Sequence, residues 1–272
     1  MSGCGFTPVD VRRGEGPVIL GMPHTGTHAP AAVFDRLNEE GRTLRDADWR
    51  VDRLYEDLLA EATIVRANFH RYVIDANRDP SGASLYPGMN TTELVPTTNF
   101  DGEPIWTREP DAEEIERRRV AFHTPYHDAL KWEIERVRER CGVAILYDCH
   151  SIRSVVPRLF EGTLPDLNIG TKDGATCAPE IEAAVREEAS SSGLSFVVNG
   201  RFKGGWTTRN YGVPSRGVHA IQMELAQSLY LQSEAPPFDY DDARAEKLRR
   251  ILRKILNRLV EIAPSLAGRS RA

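Results

Sequence analysis

The chain contains no CxxC pair, and its four cysteines, Cys4, Cys141, Cys149 and Cys177, are scattered over 272 residues. That spacing argues against a disulfide-stapled scaffold and offers a thiolate zinc site nothing to build on. Cys149 reads as a small buried hydrophobe. No apolar run approaches the roughly 20 residues needed to span a bilayer. The first residues also lack the apolar core of a signal peptide, so a cytoplasmic protein with no membrane partner is expected. Long basic blocks are missing and the net charge is −5, which argues against a nucleic-acid surface. A Gly-x4-Gly-Lys-Ser/Thr phosphate loop and an HExxH helix are both absent. What remains is an ordinary globular composition, 40% hydrophobic and 28% charged. It is long enough for one large α/β domain or two small ones. Neither internal repeats nor a linker can be seen, so a single domain over residues 1–272, with its core in about 17–262, is expected.

Within that frame one pattern recurs: a short apolar run that ends abruptly in polar residues. Val143 to Tyr147, opened by Gly142, is too short for a typical helix and reads as a buried strand. It runs into Asp148, His150 and Ser151. Pro17 to Met22 does the same, ending at His24 in the Pro- and Gly-shaped loop that also carries His28. Tyr72 to Ala76 ends at Asn77 and Arg78, and Thr63 to Ala67 reads as a strand before it. In Val218 to Leu225 the alternation puts His219, Ile221, Met223 and Leu225 on one side, and Ala220, Gln222 and Glu224 on the other. In open α/β sheets the crevice beyond the strand ends is where ligands bind. A His there can bind a metal and an acidic neighbour can orient it. Each of these residues also has a plainer reading, as a hydrogen-bonded loop His or a Glu locked to an Arg.

The helical stretches are read from three- and four-residue spacing. Ala31 to Glu40 suggests a short helix. Arg45 to Ala62 carries Val51, Leu54, Tyr55, Leu58, Leu59 and Ala62 on one face. Asp46 and Asp48 lie at its start, where acidic residues cap exposed N–H groups, and Asp48 and Asp52 share a face. Asp111 to Arg140 is a long helix that Pro125 should kink or divide. His123 and His127 are four apart on it, like a helical metal pair without its acidic partner. Pro179 to Ser190 and Asp241 to Ile262 complete the helices, and Ser195 to Val198 adds a short strand. Ser81 to Pro110 and Ser154 to Ala178 read as long loops, and Gly268 to Ala272 as a frayed tail. Asn199 to Gly212 mixes glycines with Arg201, Lys203, Arg209 and aromatics, a basic loop suited to an anionic small molecule.

Taken together, two imidazoles and a carboxylate make a catalytic zinc site with a position open for water. A further carboxylate can take a proton from that water and return it to a leaving nitrogen. An arginine beside the site would hold a substrate carboxylate. These parts fit amide hydrolysis on an amino-acid-like acid.

The ordered strings PHTGTHAP, DADW, YVIDANR, PYH, YDCHSIRS, NGRFKGGWTTRNYG and HAIQMELAQSLY resemble the N-formylglutamate amidohydrolase family, from about Pro17 to the last helix. The resemblance implies a mixed α/β sheet flanked by helices, similar to zinc-dependent exopeptidases and to the aspartoacylase and succinylglutamate desuccinylase group. It implies one divalent metal, zinc as first choice, and release of formate from N-formyl-L-glutamate, the last step of one histidine degradation route. Carried over by position, His24 and His150 become metal ligands, Asn77 and Arg78 contact the substrate, and Glu224 becomes the general acid/base. The related group takes its acidic ligand three residues after the first His, but Thr27 stands there. Asp48 is the preferred third ligand, with Asp52 in reserve, and Arg201, Lys203 and Arg209 are candidates for the substrate carboxylates. A relative acting on another N-acyl amino acid, or a non-catalytic dicarboxylate-binding protein, stays open.

Overall fold

The computed structural model describes residues 6–84, 88 and 90–268. Among them, seven strands are β1 (Val9–Arg12), β2 (Val18–Met22), β3 (Thr63–Ala67), β4 (Ala144–Ile152), β5 (Leu167–Gly170), β6 (Phe196–Val198) and β7 (Val218–Ala226). They form one mixed sheet in the order β1-β3-β2-β4-β7-β5-β6. The central β3, β2, β4 and β7 are parallel, while β1 and β5 are antiparallel to the neighbours that join them to this core. Every residue of β4 and β7 is buried, as expected for parallel strands covered on both faces.

Among the helices, α1 (Ala31–Phe34), α2 (Glu39–Arg42) and α4 (Ala112–Arg118) are short. The strands' alternation sorts the others. Val18, Leu20, Ile145, Tyr147, Ile221 and Met223 pack toward α3 (Val51–Tyr55), α6 (Pro179–Ser191) and the long terminal α8 (Asp242–Leu266). Ile19, Val65, Leu146 and Ala220 pack toward α5 (Thr124–Cys141). The α5 residues Tyr126, Leu130, Ile134 and Val137 are almost wholly buried there. Each such side chain contributes about 1.5–3 kcal/mol relative to leaving it in water.

Five expectations are corrected. Helix Arg45–Ala62 shrinks to Val51–Tyr55, because Arg50 and Asp57 take left-handed backbone conformations at its two ends. Its apolar residues still face one core, which is why the spacing looked helical. Residues 72–76 are fully buried but form no strand; an apolar run reports burial before it reports strand. The stretch at 111–140 is divided as Pro125 implied: Ala112–Arg118 and α5 are separated by a π-turn at Arg119–His123, and Pro125 stands in the first turn of α5. The supposed loop at 154–178 contains β5, and the basic loop at 199–212 contains a helix, α7 (Trp206–Tyr211). The helix expected over Ala31–Glu40 appears as two single turns, Ala31–Phe34 and Glu39–Arg42, and the short exposed β1 was not foreseen. Residues 85–87 and 89 of the Ser81–Pro110 loop, residues 269–272 of the tail, and Cys4 lie outside the described residues. No described helix is long and apolar enough to cross a membrane.

Candidate active site

The parallel pairing of β4 with β7 sets Asp148 beside Gln222 and His150 beside Glu224. By alternation these four point to the sheet face that carries α5. The neighbouring β2 ends two residues before His24. Gly21 on that strand leaves the space needed: a Cβ there would stand 3.2 Å from the Leu146 side chain and 3.7 Å from Asp148 Oδ1. Register therefore delivers three of the expected residues to one edge of the sheet.

Asp48 arrives from the segment before α3. Its backbone N–H donates to the His24 carbonyl at 3.0 Å. Its Oδ2 stands 3.1 Å from His150 Nδ1 and 3.7 Å from His24 Nδ1. His24, Asp48 and His150 form a group able to hold a metal ion, their ligand atoms within 4.8 Å of one another. Two further observations fit such an ion. His24 Nδ1 is buried without a hydrogen-bond partner. The far nitrogen of each imidazole is also engaged: His24 Nε2 is hydrogen-bonded to Asp75 Oδ1 at 2.7 Å, and His150 Nε2 to the Asn77 side-chain amide at 3.2 Å, with Asp148 Oδ1 3.1 Å away. A carboxylate in the position of Asp75 fixes ring orientation and raises ligand basicity. Asp52, by contrast, pairs with Arg66 at 3.0 Å on the partly exposed outer face.

The electrostatics are sharply divided. Burial would lift the Asp48 carboxyl, but His24 and His150 hold it well below the usual range. Burial likewise opposes, and the Arg71 and Arg78 guanidiniums overcome, so that Asp75 is also held low. Glu224 goes the other way: burial pushes its carboxyl up to about 8, against the pull of His150. Its Oε2 accepts a hydrogen bond from Gln222 Nε2 at 2.9 Å. A carboxyl poised near neutrality beside a carboxylate held ionised is the separation that acid–base chemistry uses.

His24, Asp48, His150, Gln222 and Glu224 line a cavity of about 80 Å³ together with Arg71, Asn77, Arg78 and Arg201. Arg201 donates to the carbonyls of Leu159 and Asn90. Arg78 donates to Thr92. Lys203 and Arg209 do not line the cavity: Lys203 pairs with Asp173 on the surface at 3.2 Å, and Arg209 donates to the Gly204 carbonyl. Arg71 was not foreseen. It is almost buried, bonds Asp75 at 2.5 Å, and leaves Nε without a hydrogen-bond partner. The sequence offered no spacing signal for it, nor for Asp75 as the orienting acid of His24. His28 stacks on Phe6, and His219 accepts from the Ala178 N–H, so both are structural.

The loop-borne residues are fastened by side chains. Gln227 donates to the Ala47 carbonyl and to Ser151 Oγ, and Tyr230 donates to the Trp49 carbonyl at 2.8 Å. A carbonyl can only accept, so the Tyr230 proton goes to Trp49 and the Ser151 hydroxyl, 2.7 Å away, donates to Tyr230. The two carbonyls flanking Asp48 are thereby held. Asn77 is pinned through Oδ1, which accepts the Thr207 N–H at 2.8 Å. Gly205 lies flat against its amide, and a Cβ there would come within 2.2 Å of Asn77 Nδ2.

Fold and cavity together define the class: a mixed-sheet α/β protein whose cavity at the sheet edge joins three metal-ligand donors to a nearly neutral carboxyl. The profile of the N-formylglutamate amidohydrolase family matches residues 16–231. An N-formylglutamate deformylase of Pseudomonas putida is 43% identical over 254 residues, 91% of this chain and 94% of that one. Its counterpart from Pseudomonas aeruginosa is 44% identical, covering 92% and 94%. A crystal structure of N-formylglutamate amidohydrolase from Ralstonia eutropha JMP134 superimposes with a TM-score of 0.81 at 27% identity, covering 96% of this chain and 99% of that one. A gene product of Agrobacterium tumefaciens shares the fold, with a TM-score of 0.71 at 19% identity over 94% and 96% of the two chains. The chain belongs to the N-formylglutamate amidohydrolase family, enzymes that hydrolyse an amide bond.

Proposed function

We propose that this chain hydrolyses N-formyl-L-glutamate to formate and L-glutamate with one divalent metal ion, held by His24, Asp48 and His150. The observation that carries the proposal is the convergence of those three donors beside the raised carboxyl of Glu224. The mixed imidazole and carboxylate set makes zinc the first choice. When bound, such an ion supplies a Lewis acid and lowers the pKa of water toward neutrality.

The chain's own residues supply the rest. Glu224 takes a proton from the attacking water and delivers it to the amide nitrogen as the C–N bond breaks. A carboxyl lifted by burial is suited to both halves of that exchange. Asp75 keeps the His24 imidazole oriented, and the Asn77 amide that of His150. Arg78 and Arg201 receive the substrate carboxylates and Asn77 directs an amide bond, while Lys203 and Arg209 steer the dianion from outside the cavity. Kinship with the zinc-dependent exopeptidases, a single catalytic domain, a cytoplasmic setting and a role in histidine degradation belong to the same reading.

The test is formate release from N-formylglutamate by purified protein, alongside N-acetyl and N-succinyl analogues and elemental analysis. Expected are near one metal per chain, turnover strongest on the formyl compound, loss on chelation and recovery on adding zinc. Full turnover by metal-free protein, or a preference for another acyl group, would contradict it.

A further inference from the structure

His123 and His127 look like a metal pair in the sequence, but their rings are engaged elsewhere. His127 Nε2 lies 2.7 Å from the Ala76 carbonyl, and His123 Nε2 lies 3.0 Å from the Arg78 carbonyl. Carbonyls only accept, so each ring carries its proton on Nε2. His127 Nδ1 then accepts from the Tyr211 hydroxyl at 3.0 Å. Both rings are nearly buried. They touch each other at 4.3 Å between centroids, and both pack on Trp206 of α7. Burial lowers the pKa of both, so each is a neutral donor at working pH.

The two carbonyls flank Asn77. They belong to the turn closed by the Arg78 N–H on the Asp75 carbonyl, a segment with no strand neighbour to hold it. One turn of helix spacing, set across the π-turn and α5, brings two donors to this one turn of chain. π-turns recur at functional sites.

We propose that His123 and His127 are positioning residues that hold Asn77 and Arg78 at the substrate. The proposal rests on the reading of Asn77 and Arg78 as substrate contacts. Neither histidine touches the metal donors; the turn they hold does, since Asn77 Nδ2 meets His150 Nε2 at 3.2 Å and the Asn77 N–H donates to Asp75 Oδ1 at 2.8 Å, so substrate affinity is read on metal-saturated protein.

Two amide substitutions separate reach from polarity. In His127→Gln the amide nitrogen overlays the lost Nε2 and can still donate to Ala76. In His127→Asn it overlays Nδ1 and cannot. His123→Gln and His123→Asn form the same pair. The expected result is a KM for N-formylglutamate raised about tenfold or more in the Asn variants, as a displaced contact near the chemistry can cause. The Gln variants should stay within about threefold of the parent, all four being assayed with zinc added to saturation. Equal KM values for Asn and Gln variants would overturn the proposal. Asn77→Ala and Arg78→Lys test the foundation separately. If neither raises KM, the substrate-contact reading fails and this proposal with it. If they raise KM while the Asn variants do not, the positioning role alone is overturned.

Discussion

Two kinds of backbone deliver this site. His150 and Glu224 stand on β4 and β7, where the parallel ladder fixes them side by side. Asp48 and Asn77 stand on segments with no ladder. Each of those has its two flanking carbonyls held by side chains from elsewhere: Gln227 and Tyr230 for residues 47 and 49, His127 and His123 for residues 76 and 78. Buried backbone oxygens need partners. A strand finds them in its neighbour, while a buried loop must borrow them from distant side chains. The strand half of the site is thus positioned by topology, and the loop half by four individual residues.

The comparison predicts a different failure in each half. The largest effect belongs to the strand side. Glu224→Gln keeps the backbone, the shape and the Gln222 contact region but removes the titrating oxygen. Turnover should fall by about 10²–10⁴-fold, the span typical of a lost general acid–base, while metal content stays at the parent value. Wild-type turnover, measured as formate release, would remove Glu224 from the proton path.

A smaller effect is expected on the loop side. Tyr230→Phe deletes one hydroxyl, freeing the Trp49 carbonyl and leaving Ser151 with one partner fewer. Metal affinity should weaken about tenfold, the lower end of what outer partners of a metal site contribute. Competition with a chromogenic chelator would read it. An affinity equal to that of the parent would mean that Asp48 needs no bracket, and the contrast between the halves would lose its physical basis.

The same division decides what could be read from the sequence. His24, His150 and Glu224 announce themselves because an apolar strand must end abruptly where it meets a ligand crevice, and that switch is local. Asp48 surfaced only through its DADW string, since a capping role explains an acid at a supposed helix start equally well. Asp75, which orients His24 from 51 positions away, has no spacing rule to betray it. Arg71 was equally silent, because a buried arginine paired with an acid four residues on looks like a surface pair. The run at 72–76 misled as a strand for a related reason. Its burial is real, but its hydrogen bonds are shared among the backbone of His70, Leu94 and Arg78 and the side chains of His70, Arg118 and His127, and no pattern of apolar residues encodes such a set. His123 and His127 have the spacing of a metal pair without its acidic partner, and spacing alone could not show that both rings meet one turn of backbone.

The central claim is that imidazoles from the loop after β2 and from β4, with the Asp48 carboxylate, close on one cation. X-ray absorption at the zinc edge of the purified protein tests it most directly. The account predicts one zinc per chain with only nitrogen and oxygen neighbours at about 2.0–2.1 Å, two of them showing imidazole multiple scattering. A sulfur shell at about 2.3 Å, which would bring in a thiolate such as Cys149, or a spectrum with no imidazole contribution, would contradict it.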